Sequence, residues 1–359
     1  MGYKMSCKQY QCFIFVFIIA AFLCVSGQHA EVNIRNHRHS SGMRGNMRRS
    51  VDDFKLGAAV MLVSKPWHGE RSGRLCYFNK SMTALEETWL PRHRQYPLYL
   101  LTDEHRWAQE DRAAIRRKWR SFDIHFLSIR EYLHNNMPKD VIFEDAKTPL
   151  SEIEYKNMIA FMTYGFTRVP ELTQYHYLLR LDDDSCIQDV INYDMFAEMR
   201  GLRSHYAFRA MFLDTENVVV GMNEFVDEYQ QKFLGRSVTS DSKGPSHPWA
   251  NLELHNWRVA LNTKGAPAFA TNFEIINVRR YMEPDITQFL RHVEDSHMIY
   301  HRRWGDAPIR YYLAELFWGS QEVLWLCDFD FQHSFWGPYP MCERRISNNS
   351  VITYFEKPL

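Results

Sequence analysis

Beyond residue 53, short apolar runs alternate with segments of helical period, and this alternation restricts the fold more than any other feature of the chain. Leu56 to Val63 reads as a buried strand, Ser81 to Trp89 as a helix, and Pro97 to Thr102 as a second strand ending at Asp103. Glu110 to Trp119 repeats the helix, and Asp123 to Leu127 the strand. This order predicts an α/β fold, with a central sheet flanked by helices. From Ser151 onward Tyr155, Met158, Ile159, Met162 and Phe166 fall at helical spacing, and Ser151 with Glu154 matches a capping box. Tyr175 to Leu181 is then a strand candidate that stops abruptly at Asp182-Asp183-Asp184. The second half is mixed, with strand patterns over Tyr206 to Leu213 and Ala268 to Val278 and helix patterns over Glu224 to Leu234 and Ile309 to Trp318.

Open α/β sheets bind ligands outside the carboxyl ends of their strands, so the acidic triplet is the first place to look for chemistry. Residues two apart in an extended chain point the same way, which lets Asp182 and Asp184 converge while Asp183 turns away. Their mutual repulsion is offset by a hard divalent cation, Mn²⁺ or Mg²⁺, shared with substrate phosphates; the same triplet also suits a solvated turn. Glu274 interrupts the apolar stretch Phe273 to Ile276 and must have a partner or a task, as a nucleophile, an acid/base or one half of a salt bridge. Asp306 is placed to cap the helix that Ile309 continues, with Pro308 in its first turn, and Arg302 and Arg303 just before it could clamp an oxyanion. His333 follows a run of aromatics, where imidazole is either a satisfied structural group or a metal ligand.

Other chemistries lack their sequence patterns: there is no His-Glu-x-x-His, Gly-x-Ser-x-Gly, Gly-x-Gly-x-x-Gly or P-loop. With 43 Lys+Arg against 43 Asp+Glu and no basic block, the chain also lacks the footprint of a nucleic-acid binder.

The amino-terminal region has a separate character. Residues Cys12 to Val25 are apolar and uncharged, and Lys4 and Lys8 precede them. The expected organisation is a cytosolic segment at 1–11, a signal anchor or cleaved signal peptide at 12–27, an Arg-rich flexible stem at 28–53 and one folded domain at 54–359. Lysines before the apolar run direct the folded part to the lumen. Cys76, Cys186, Cys327 and Cys342 would then face an oxidising compartment, with three pairings open. The sequons at Asn79 and Asn348 suit the same compartment.

Four stretches, in order, resemble one family: Arg180-Leu-Asp-Asp-Asp184 with Ile191-Asn-Tyr-Asp-Met-Phe196, then Thr271-Asn-Phe-Glu-Ile275, then Arg303-Trp-Gly-Asp-Ala-Pro-Ile309, supported by Tyr155-x-x-Met158-x-x-Phe161. Together they are similar to the fungal α-1,2-mannosyltransferases of the Kre2/Mnt1 type, type II Golgi membrane enzymes. The resemblance implies a single GT-A glycosyltransferase domain that uses GDP-mannose and Mn²⁺ (or Mg²⁺) and transfers mannose, with retention, to a mannose hydroxyl of a glycan. It implies Asp182, Asp184 and His333 as metal ligands, Glu274 and Asp306 as catalytic carboxylates, and Arg180 and Tyr155 beside the donor. The chain departs from the family at three places: Asp182-Asp183-Asp184 replaces Glu-Pro-Asp, Ala160 replaces an arginine, and Ser64-Lys65 replaces Arg-Asn. A transferase of another nucleotide sugar and a non-catalytic glycan-binding protein on the same fold are the alternatives.

Overall fold

The computed structural model describes residues 54–63, 72–102, 108–133, 150–235, 265–333, 341–346 and 352–356. The expected anchor and stem, Ser64-Lys65 and the Asn348 sequon lie outside the described residues. Among the described residues no helix is long and apolar enough to cross a membrane.

The first half follows the predicted order: β1 (Lys55–Leu62), α1 (Ser72–Thr88), β2 (Leu98–Thr102), α2 (Gln109–Lys118), β3 (Ile124–Ser128), α3 (Leu150–Thr163) and β4 (Tyr175–Asp182). Helix α1 starts well before Ser81, because Ser72-Gly-Arg carries no apolar period to mark its first turns. After a turn come β5 (Ser185–Ile187), α4 (Met195–Leu202), β6 (Tyr206–Phe208), β7 (Met211–Asp214) and α5 (Met222–Tyr229). The remaining strands and longer helices are β8 (Ala266–Phe269), β9 (Phe273–Asn277), α6 (Pro284–Ser296), α7 (Asp306–Phe317), β10 (Val323–Trp325), β11 (Phe331–His333), β12 (Cys342–Ile346) and β13 (Ile352–Glu356).

Two predicted strands are each divided. The Tyr206 to Leu213 pattern becomes β6 and β7, and the Ala268 to Val278 pattern becomes β8 and β9. β6 and β9 join the central sheet, whereas β7 and β8 leave it as an antiparallel pair of their own. The break after Phe208 falls at Arg209, which is fully buried and donates from Nε to the Phe329 carbonyl at 3.0 Å. The Glu224 to Leu234 helix also changes character, since α5 ends at Tyr229 and runs on as a π turn, Gln230–Leu234.

The central sheet has the order β10-β6-β9-β4-β1-β2-β3. β1 pairs in parallel with both β2 and β4, while β9 runs antiparallel between β4 and β6. The chain leaves β1 toward β2 and β3 and returns to β4 on its other side, so a switch point lies between the carboxyl ends of β1 and β4, where Leu62 stands opposite Asp182. A crevice opens where successive connections diverge in this way.

Strand parity assigns residues to the two faces. Ala58, Val60, Leu178 and Ile276 join one apolar core, which includes Ile159, Met162, Ile309 and Leu313 of α3 and α7. Ala59, Met61, Leu179 and Ile275 join the other, which includes Phe78, Met82 and Leu85 of α1 and Phe196 of α4. Arg180, Asp182 and Glu274 share the parity of the first face, so the charged residues enter the sheet under α7 and not under α1. Gly57 is required by packing: a Cβ there would lie 2.4 Å from the Phe196 ring.

Asp194, within the family-like motif, caps α4 by accepting from the Phe196 and Ala197 N–H groups, both at 3.0 Å. Beside it His93 is buried and stacked on Trp89; its Nδ1 donates to the Trp89 carbonyl at 2.7 Å, and its Nε2 accepts from the Met195 N–H at 3.1 Å. Burial pushes this imidazole down to about 4, against smaller opposing effects of the Trp89 carbonyl and Asp194. The folded state therefore holds His93 neutral where the unfolded chain takes up a proton. Its stabilising contribution is complete above about pH 6.5 and is lost progressively as pH falls toward 4, by up to about 3 kcal/mol. Urea unfolding between pH 7 and 4 should show that decline, and His93→Gln should flatten it.

Cys327 is disulfide-bonded, and Cys186 is a buried free thiol 3.7 Å from Ser81 Oγ. All three predicted complete pairings required Cys186, so none of them holds. The Asn79 sequon lies inside α1 with Ser81 buried, and Asn79 accepts from Lys118 at 2.6 Å, which does not suit a glycan attached to the folded chain.

Candidate active site

β4 ends at Asp182, and the chain turns through Asp183 and Asp184 into β5. The Asn272 carbonyl braces both sides of this turn, accepting from the Asp182 N–H at 3.3 Å and from Ser185 Oγ at 3.0 Å. Convergence of the two aspartates thus comes from a tight turn, where the sequence pattern implied a continuing strand. β11 pairs antiparallel with β5, setting His333 opposite Ser185. His333 Nε2 lies 3.0 Å from Asp184 Oδ1 and 3.7 Å from Asp182 Oδ2.

One ligand atom from each of Asp182, Asp184 and His333 can be chosen so that all lie within 4.8 Å of one another, and all three side chains are part-exposed. Two carboxylates and an imidazole form a mixed O,O,N donor set suited to Mn²⁺. Burial raises the Asp182 carboxyl above its usual range, the neighbouring Asp184 and Asp306 add to the rise, and Arg180 and His333 oppose it. Burial alone would lower His333, but its bond to Asp184 and the charges of Asp184 and Asp182 outweigh that and raise it. Carboxylate charge contributes to both shifts, to His333 chiefly and to Asp182 after burial, and a bound cation would offset that charge.

Behind these residues lies a buried charge network. Arg180 sits directly opposite Glu274 across β4 and β9. Its guanidinium meets Glu274 Oε1 at 3.3 Å, Asp182 Oδ1 at 3.5 Å and, more closely, Asp306 Oδ2. Glu274 Oε2 accepts from the Tyr206 hydroxyl at 2.9 Å and from Arg310 Nε at 3.0 Å. Arg310 is fully buried, and its remaining nitrogens donate to the carbonyls of Thr163, at 3.2 Å, and Met162 at the end of α3. Burial alone would lower the Arg180 guanidinium, but Asp306, Asp182 and Glu274 raise it above its ordinary value. Burial would raise Asp306, but the charge and hydrogen bond of Arg180 hold it below the usual carboxylate range, so it stays ionised.

The structure corrects the capping role expected of Asp306. Gly305 is the N-cap of α7, and Asp306 is the first residue inside the helix. An enclosed guanidinium without an anion costs more than an uncapped helix end, so the carboxylate turns to Arg180. Glu274 is completely enclosed, at 0% exposure, with both oxygens engaged. Of the two carboxylates implied as catalytic, Asp306 is the one with a side chain that still reaches solvent, at 9%.

Tyr155, on α3, is 42% exposed and feels the charges of Asp306, Arg303, Asp182 and Arg180. The Arg303 guanidinium stands 5.1 Å from the centre of its ring. The structure therefore brings all seven implied site residues to one end of the sheet. Sequence reasoning missed Tyr206, Arg310 and Asp214, the last lying near Arg303 and Asp306. Arg310 alone carried a signal, a charged residue on the apolar face of a helix. Ala160, where the family pattern has arginine, is buried in the core.

The mixed α/β fold, a central sheet flanked by helices, matches solved mannosyltransferase structures. The structure superposes with TM-score 0.61 on the mannosyltransferase Ktr4p from S. cerevisiae, at 22% identity, over 80% of this chain and 73% of that one. It superposes with TM-score 0.59 on core-mannan synthase A (CmsA/Ktr4) from Aspergillus fumigatus in a Mn/GDP form, at 18% identity, over 80% and 76%. The chain belongs to the glycolipid 2-alpha-mannosyltransferase family, whose model matches residues 28–350. Among curated relatives, the probable mannosyltransferase KTR4 of Saccharomyces cerevisiae is 27% identical over 197 residues, 54% of this chain and 40% of that protein. The probable mannosyltransferase KTR2 of the same yeast is 22% identical over 312 residues, 82% of this chain and 70% of that protein.

Proposed function

We propose that this chain is a metal-dependent, retaining mannosyltransferase that moves mannose from GDP-mannose to a mannose hydroxyl of a glycoprotein or glycolipid glycan, in α-1,2 linkage. The observation that carries the reading is the Asp182, Asp184 and His333 group at the carboxyl end of the sheet, joined through Arg180 to Asp306, in a member of this family. The Mn/GDP form of the Aspergillus relative supports the choice of metal and nucleotide.

Asp182, Asp184 and His333 would hold Mn²⁺ (or Mg²⁺), which when bound neutralises the charge of the departing diphosphate. Asp306, kept ionised by Arg180 and with a side chain that still reaches solvent, would stabilise positive charge developing at the anomeric carbon. Glu274 acts as a positioning residue: it fixes Arg180 from one side and Arg310 and Tyr206 from the other, and so sets where Asp306 sits. Tyr155, part-exposed and close enough to Asp306 and Asp182 to feel their charges, stands beside them. The expected location is the lumen of the secretory pathway, with residues 12–27 as the membrane anchor and 54–359 as the catalytic domain. The disulfide at Cys327 supports an oxidising compartment.

A hydrolysis panel of GDP-mannose, UDP-glucose and UDP-galactose with Mn²⁺ tests the donor. GDP-mannose should be turned over at least about tenfold faster than either UDP-sugar, a discrimination of the size expected when buried polar groups recognise the base. Preference for a UDP-sugar contradicts the donor assignment, and inertness toward all three favours a binding protein on this fold.

A further inference from the structure

The end of the central sheet away from the site gathers four exposed cations: Lys55 at the start of β1, Arg279 just past β9, Arg200 in the last turn of α4 and Arg203 just after it. Among the described residues none of the four forms an ion pair with a carboxylate. We propose that this face docks on the phosphate headgroups of an anionic membrane, an inference independent of which sugar the chain transfers.

Strand register explains why the four meet. Lys55 stands opposite Tyr175, the first residue of β4, and Tyr177 opposite Asn277, the last residue of antiparallel β9. The Tyr177 hydroxyl donates to the Ser204 carbonyl at 3.4 Å and the Asn277 N–H to the His205 carbonyl at 2.9 Å, which draws the end of α4 to the same place. His176 lies among them, its imidazole pushed down by burial and then by the charges of Arg279 and Arg200. Aromatic rings, not acids, seat two of the cations: the Arg279 guanidinium is 3.7 Å from the centre of the Phe54 ring, and Lys55 Nζ is 5.5 Å from that of Tyr175. Nearby carboxylates are engaged, Asp123 with His125 at 3.0 Å, Glu322 with His205 at 3.3 Å, and Glu283 and Asp285 with Arg280 at 2.8 and 2.7 Å. Glu171, exposed just before β4, offsets one of the four positive charges at most.

The occupant follows from the sequence that reaches this face. Phe54, the first described residue, lies against Arg279, so the preceding chain joins the domain here. That chain carries five arginines over 28–53 and, before them, the uncharged apolar run 12–25, which suits a bilayer. A domain tethered from this side holds its cations toward the headgroups. Guanidinium forks pair with phosphate oxygens, and each Lys or Arg close to an anionic surface strengthens association about fivefold, within a Debye length of ~10 Å. Docked in this way, the carboxyl ends of β1 and β4, with Asp182, point away from the bilayer.

The test maps arginine and lysine accessibility in the full chain mixed with lipid nanodiscs, using phenylglyoxal and an acetylating reagent with mass-spectrometric readout. Discs of phosphatidylcholine alone are compared with discs that also contain phosphatidylserine. The anionic lipid should slow modification of Lys55, Arg200, Arg203 and Arg279 at least about fivefold. Arg302, exposed before α7 at the site end, should be modified at the same rate in both. Salt at about 1 M, where the Debye length is ~3 Å, should abolish the protection. An Arg200→Glu, Arg203→Glu double variant with unchanged circular dichroism should expose Arg279 as well. Equal rates in the two lipids, or no association with the anionic discs, overturn the proposal. Protection in phosphatidylcholine alone also overturns it, since that would mean cover by protein, such as a second copy, and equal slowing of Arg302 would reduce the effect to nonspecific adsorption.

Discussion

Glu274→Ala should destabilise the fold by about 3–5 kcal/mol, the cost of removing one partner from a buried ion pair. Arg310 is wholly enclosed and Arg180 nearly so, and each loses a carboxylate that water cannot replace. Tyr206, also buried, loses the acceptor for its hydroxyl. Burial raises the Tyr206 hydroxyl well above its usual range, and the Glu274 charge adds to this, so it remains a neutral donor with one acceptor. Urea unfolding measures the loss. Glu274→Gln keeps the shape and one carbonyl acceptor and should cost less than alanine. A Glu274→Leu, Arg310→Met double variant should recover part of the stability, because apolar replacement of a whole buried pair is often neutral. A Glu274→Ala protein as stable as wild type would remove the positioning role given to this residue.

Asp184→Asn and Asp182→Asn should each lower Mn²⁺-dependent donor turnover by roughly a hundredfold or more, the scale on which loss of a charge-stabilising group slows a reaction. Both side chains are part-exposed at the end of the sheet, so the fold should survive each change. Turnover with GDP-mannose, measured alongside circular dichroism, separates lost chemistry from lost structure. Full activity in both variants would contradict the ligand assignment.

The position of the site was legible in the sequence for a physical reason. A strand of β-forming residues that ends in acids can be recognised locally, and parallel α/β topology brings such ends together. Asp182, Asp184 and Arg180 lie within five residues at one strand end and the tight turn after it, so their nearness was legible although the turn that makes the aspartates converge was not. Residue patterns alone could not pair His333 with them; the family resemblance names it as a ligand, and the β5–β11 ladder, which joins residues far apart in the chain, is what brings it there. Arg310 and Tyr206 reach Glu274 from α7 and β6, and nothing in either segment names that partner. The orientation of Asp306 was misread because a local rule, helix capping, competed with a nonlocal one, the need of a buried arginine for an anion. The divided strands share that origin: Phe208 and Met211 have similar β-propensity, but one pairs with β9 and the other with β8.

Calorimetric titration of GDP into the wild-type chain, with and without Mn²⁺, tests most directly whether Asp182, Asp184 and His333 form a cation-dependent nucleotide site. The account predicts micromolar-range binding with Mn²⁺, about −8 kcal/mol, and binding weaker by at least roughly tenfold once the metal is chelated. The same metal-dependent binding should be lost in Asp184→Asn. GDP affinity that is equal with and without Mn²⁺, or unchanged in the variant, would contradict it.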